Sequence, residues 1–130
     1  MTMVDRQPAG ELQVRTVAMP ADTNPSGDIF GGWVLSQMDI AAGTAAAHRA
    51  GGRCATVAID AMSFHAPVHV GDILSCYAKE ERIGRSSLTF KVEAWTIRAP
   101  DPTGNRILVT EGTFVFVALD NKGKPREVQT

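Results

Sequence analysis

Apolar positions along this chain change period twice. Leu12, Val14, Thr16 and Ala18 alternate with Gln13, Arg15 and Val17, so residues 11–19 read as a first strand, ended by Pro20. The turn formers of 21–27 (ADTNPSG) follow. Over 29–49 alternation gives way to a helical stretch. Ile29, Phe30, Trp33, Val34, Leu35, Met38 and Ile40 cover more than one stripe, and 41–47 is small on every side. A helix that is apolar all round is expected to be buried. At 1.5 Å per residue it would be about 30 Å long. Gly51-Gly52 stops it.

Period two then returns. Residues 55–64, 72–83, 87–98 and 107–119 read as strands, separated by the His65-Ala66-Pro67-Val68 break, by Gly84 and by a hairpin loop at 99–105. In the clearest of them Leu88, Phe90, Val92 and Ala94 face one way and Thr89, Lys91 and Glu93 the other. The stretch 107–119 is almost continuously apolar, as a central strand should be. No crossover helix separates these four strands, so they should be antiparallel. The pattern therefore predicts an α+β fold, a five-stranded antiparallel sheet curled around one long helix. A single domain over 11–120 carries it, between a disordered lead (1–10) and a polar, basic tail (121–130).

Composition narrows the function classes. A length of 130 residues suffices for one core without staples. A net charge of −1 leaves no electrostatic footprint for nucleic acid. No apolar run is long enough for a membrane span, and the first residues lack the apolar region of a signal peptide. Cys54 and Cys76 read as buried, reduced thiols of a cytoplasmic protein. His48, His65 and His69 have no ligand-spaced partners, so no metal site is expected.

The chemistry concentrates on the predicted helix. Gly31 and Gly32 occupy its first turn, where backbone N–H groups lack internal partners and the dipole is positive. They either form an oxyanion hole or simply permit close packing against the sheet. Asp39 is a lone acid among apolar and small neighbours. An unpaired buried carboxylate is costly. Asp39 is therefore either paired by a strand residue such as an arginine or placed in a cleft as a general base. Asn24 is either a turn former beside Pro25 and Gly27 or an amide that holds water or a carbonyl. Asp39 lies eight residues beyond Gly31. That is about 12 Å along a helix, too far for both to act on one atom. If both are catalytic, they come from two chains, with two helices packed antiparallel across a two-fold axis and two shared sites.

The blocks NPSGDIFGGWVLSQMD (24–39), VAIDAMSFHAPVHVGD (57–72), GRSS (84–87) and FVFVALD (114–120) stand in an order that resembles hotdog-fold acyl-CoA thioesterases. The similarity is to the short bacterial YciA-type branch, related to the brain-type acyl-CoA hydrolases, and it covers about 14–126. It implies hydrolysis of acyl-CoA without a cofactor, CoA being part of the substrate. By position it implies Asp39 as general base or nucleophile, Asn24 as an amide assisting from the other subunit, and Gly31 with Gly32 as the carbonyl-polarising helix end. It also implies a homodimer with a continuous ten-stranded sheet, assembled further into tetramers or hexamers. Arg85, Ser86 and Ser87 fit a contact with CoA phosphates, or else form a hairpin bend. Lys124 and Arg126 either reach the nucleotide or lie in a solvated tail. The stretch AHRAGGR (47–53) either touches CoA or only ends the helix. Two other readings stand beside this one: a hotdog hydratase or dehydratase, which would want a histidine near the loop, and a non-catalytic acyl-CoA-binding module, which would not need Asp39.

Overall fold

The computed structural model describes residues 6–98 and 103–129. Its elements are β1 (Glu11–Val17), α1 (Gly31–Ala50), β2 (Cys54–Phe64), β3 (Ile73–Ile83), β4 (Ser87–Ile97) and β5 (Arg106–Ala118), with one 3₁₀ turn (Pro20–Asp22) before the helix. The five strands form one antiparallel sheet in the order β1-β3-β4-β5-β2. Each predicted strand and the helix are present, shifted by a residue or two at their ends. Residues 99–102 of the expected hairpin loop lie outside the described residues.

Strand order explains the length of α1. β3, β4 and β5 are sequential neighbours, whereas β1 and β2 sit on opposite edges. Only α1 and its flanking loops join those edges. A 20-residue helix is about 30 Å long, enough to cross a sheet of five strands spaced about 4.8 Å apart. β5 lies inside the sheet, between β4 and β2, but the middle strand is β4. Only one face of β5 enters the core.

That core sits between α1 and the concave face of the sheet. Val34, Met38, Ala41, Ala42 and Ala46 of the helix meet Leu74, Leu88, Phe90, Val92, Phe114 and Phe116. The small helical residues let the aromatic layer come close. A Cβ on Gly43 would stand 3.6 Å from the Phe116 ring, and Phe90 meets Phe116 edge to face with centroids 6.4 Å apart. The expectation that α1 is buried all round is corrected within the single chain. Ile40 within α1 remains 54% exposed and Phe30 at its N-cap 55%, because five strands cover one side of a helix and leave the other open.

Both termini are more engaged than the sequence suggested. The lead was expected to be disordered, and 1–5 lie outside the described residues, but 6–10 are held to the outer face of the sheet. Glu93 is 4% exposed there, and a buried carboxylate needs donors. It accepts from the Arg6 guanidinium, from the Ala9 N–H at 3.0 Å and from Trp95 Nε1 at 2.9 Å. Gly10 has φ +93° and lies against the Ala78 carbonyl, so the chain can enter β1 there only as glycine. The tail is docked too. Val128 is buried in the core, and its N–H donates to the Arg85 carbonyl at 2.7 Å.

Arg126, expected in a solvated tail, donates to the Ala50 carbonyl at 2.8 Å and the Leu119 carbonyl at 3.1 Å. It thereby caps the C-terminus of α1. Gly51 supplies the left-handed turn, with φ 70°, and a Cβ on Gly52 would come 3.0 Å from the Arg126 guanidinium. The AHRAGGR stretch thus ends the helix. Both cysteines are free thiols; Cys76 is buried, while Cys54, expected buried, is half-buried. Burial raises both thiol pKa values, that of Cys76 to about 12. Among the described residues no helix is long and apolar enough to cross a membrane.

Candidate active site

The loop before α1 is built by Asn24. Its Oδ1 accepts from the N–H groups of Ser26 (2.9 Å) and Asp28 (3.2 Å). Its own N–H donates to the Asp28 carbonyl at 2.8 Å. The two roles open to Asn24 are therefore compatible. The side-chain carbonyl makes the turn, and the NH₂ end has no acceptor among the described residues. Asn24 can act outward only as a donor.

This turn delivers the chain to the helix start. Phe30 donates its N–H to the Asp22 carbonyl at 2.8 Å, and Ile29 donates to the Val68 carbonyl at 3.1 Å. The N–H groups of Gly31 and Gly32 have no acceptor among the described residues. No acidic side chain occupies the first turn, so the positive end of the dipole is not neutralised. The glycines are not required for packing against the sheet. A Cβ on Gly31 would meet nothing within 4 Å, and one on Gly32 only the Phe30 ring at 3.3 Å. The space at Gly31 faces outward, into a cavity of about 370 Å³ lined chiefly by Ile29, Val34, Phe64, His65 and Val68.

At the rim of that cavity His65 Nε2 stands 2.8 Å from Glu111 Oε2. Burial would push the Glu111 carboxyl up, but hydrogen bonds from Arg6 and His65 outweigh it and hold the group below its ordinary value. Glu111 therefore accepts, and Nε2 is the protonated nitrogen of His65.

Asp39 is half-buried on the open side of α1. Its partner from the sheet is Thr56 of β2, not an arginine; the hydroxyl donates to Asp39 Oδ1 at 2.7 Å. Oδ2 has no partner among the described residues. Thr56 carries no signal of its own in the sequence, because in ATVAID it reads as a β-branched strand former. Only the packing of β2 against α1 shows what it meets.

Gly84, Arg85 and Ser86 form the β3–β4 turn, and Ser87 opens β4. Gly84 donates to the Ser87 carbonyl at 2.8 Å and Ala118 to the Ser86 carbonyl at 2.9 Å. A Cβ on Gly84 would come 2.5 Å from Ser87 Oγ. The hairpin reading is thus correct for the backbone, and the exposed Arg85 guanidinium has no partner among the described residues. This turn lies beside Val117 and Ala118. The Gly31 cavity lies beside Thr110, seven residues back along β5, which corresponds to more than about 20 Å of strand. One chain therefore brings together Asn24 with Gly31 and Gly32, and separately Asp39 with Thr56. It does not bring Asp39 or Arg85 to Gly31.

The thioesterase superfamily model matches residues 26–99, which include the helix start, Asp39 and Thr56. The chain belongs to the thioesterase superfamily. It is 49% identical over 127 residues to an acyl-CoA thioester hydrolase YciA of Salmonella typhimurium, covering 97% of this chain and 96% of the relative. It superposes with a TM-score of 0.89 on a hexameric broad-specificity acyl-coenzyme A thioesterase, 48% identical, covering 96% of this chain and 85% of the other. The architecture is the hotdog fold of this family. An acyl-CoA hydrolase of Staphylococcus aureus, solved with butyryl-coenzyme A, superposes at 0.81 with 30% identity, covering 88% and 69% of the two chains. Solved variants of the Staphylococcus enzyme replace by alanine an asparagine, an aspartate fifteen residues later and a threonine seventeen beyond it. Asn24, Asp39 and Thr56 have the same spacing.

Proposed function

We propose that the protein hydrolyses acyl-CoA thioesters to free CoA and a carboxylic acid, at a site shared by two chains. The observation that carries this reading is the pair of unpartnered N–H groups at Gly31 and Gly32, at a helix end where Gly31 lines a largely apolar cavity. Such donors stabilise the oxygen of a thioester carbonyl as it gains charge. Asn24 adds its NH₂ group from the same loop.

Asp39 of the second chain takes a proton from water as the water oxygen bonds to the carbonyl carbon. Thr56 holds one carboxylate oxygen, so the other faces the water. The C–S bond then breaks, and the proton passes from Asp39 to the leaving thiolate. Besides water and the thioester, every participant is a side chain or a backbone amide, so the scheme calls for no cofactor. Arg85, with Ser86 and Ser87, takes the CoA phosphates; its free guanidinium supports that role.

Two features favour a dimer. β2 is an edge strand whose Val57 and Ile59 are exposed, and the open face of α1 carries Ile40 beside Asp39. Packing two such helices antiparallel places Asp39 and Arg85 of one chain toward Gly31 of the other. The hexameric relative supports further assembly, and the two free thiols fit a cytoplasmic setting.

The test is CoA release, followed with a thiol reagent over straight-chain acyl-CoAs from short to long. Release is expected, and its absence across the whole series rules the thioesterase reading out. A hydratase would have wanted a histidine in the loop, where Asn24 stands instead. Thr56→Val should lower kcat about tenfold, equivalent to one hydrogen bond to a charged group at about 1.5 kcal/mol. An unchanged kcat would reduce Thr56 to a strand residue.

A further inference from the structure

The Gly31 cavity is apolar except at one place. Of the side chains that line it, only His65 and Thr110 are polar. His65 comes from the turn after β2, and Thr110 is a buried residue of β5. Neither His65 Nδ1 nor the Thr110 hydroxyl has a partner among the described residues. Thr110 is buried, whereas His65 is partly exposed, so a ligand in the cavity would take the place of water at these groups.

The chemistry of the pair is set by Glu111. Arg6 donates to Glu111 at 3.2 Å and helps keep it ionised, so His65 Nε2 is committed as a donor at 2.8 Å. With that proton on Nε2, Nδ1 of the uncharged ring form is left as an acceptor. The carboxylate also fixes the ring plane, as a second group does for any oriented histidine. Thr110 can donate or accept. An acceptor and a hydroxyl on one cavity wall suit a ligand hydroxyl, which both donates and accepts. Gly31, His65 and Thr110 line the same cavity of about 370 Å³, so a short acyl group held at Gly31 shares it with this wall.

We infer that His65 and Thr110 are specificity-determining residues that select short acyl groups bearing a hydroxyl, such as a 3-hydroxyacyl thioester, over their unsubstituted counterparts. This rests on the thioesterase reading and adds to it a substrate class. A site built to bond a hydroxyl loses discrimination when its polar partners are removed.

The experiment compares kcat/KM for 3-hydroxybutyryl-CoA and butyryl-CoA in the wild type, His65→Leu and Thr110→Val. The hydroxyacyl-to-acyl ratio is expected to fall about threefold to tenfold in each variant, the range of one neutral hydrogen bond. Thr110→Val is nearly isosteric and keeps the test open if His65→Leu folds poorly. Wild-type release of CoA from butyryl-CoA is read first. If neither thioester is cleaved, the thioesterase reading and this inference both fail. If the wild type cleaves them and both variant ratios stay within twofold of its own, the hydroxyl selection alone is overturned.

Discussion

Replacing Asp39 by alanine should lower kcat by about 10²–10⁴-fold, the usual contribution of a positioned general base, while the fold survives. The two halves of that expectation have separate physical grounds. Activity should depend on Asp39 because no other carboxylate lies on the open face of α1, which carries Ser36, Ile40 and Thr44. The fold does not depend on it, because Asp39 is only half-buried and its one internal bond is from Thr56. Truncation leaves the Thr56 hydroxyl near solvent and creates no cavity in the Met38–Phe116 core. Rate and melting temperature measured on the same preparation check both halves. Near-wild-type turnover would remove Asp39 from the mechanism. Lost turnover with a collapsed melting temperature would make it a structural residue instead.

A mixture of two dead variants should come back to life. Asn24→Ala damages the loop that carries Gly31, and Asp39→Ala removes the proposed base. In a shared site these residues belong to different chains. A heterodimer then holds one site with both intact and one with neither. Random exchange of equal amounts gives half heterodimers, so activity should approach about a quarter of wild type per chain, as two-fold symmetry requires. The geometry behind this is the separation of about 12 Å along one helix between Gly31 and Asp39. Subunit exchange is verified with differently tagged chains. Demonstrated exchange with no recovery would place Asn24 and Asp39 in the same site of a single chain.

Much of this site was legible in the sequence. The loop NPSG, the double glycine and Asp39 are local features, and their spacing on a helix follows from 3.6 residues per turn. Thr56 was not legible, since its meaning depends on which helix position β2 packs against. The ambiguity over Gly31 was resolved only by the empty space where its Cβ would stand. Arg126 shows the same limit. Its charge suggested a solvated tail, yet it caps a helix that ends 76 residues earlier in the chain.

The five strands, the one long helix and the conflict between Gly31 and Asp39 are written in the residue pattern alone. These follow from periodicity and helix rise, which are properties of contiguous residues. Tertiary structure alone decided that β1 and β2 stand at opposite edges, that Glu93 draws the lead across the sheet, and that His65 and Thr110 share one cavity wall. Those facts join residues distant in the chain, and no local periodicity encodes which distant groups a buried charge or an open backbone N–H will face.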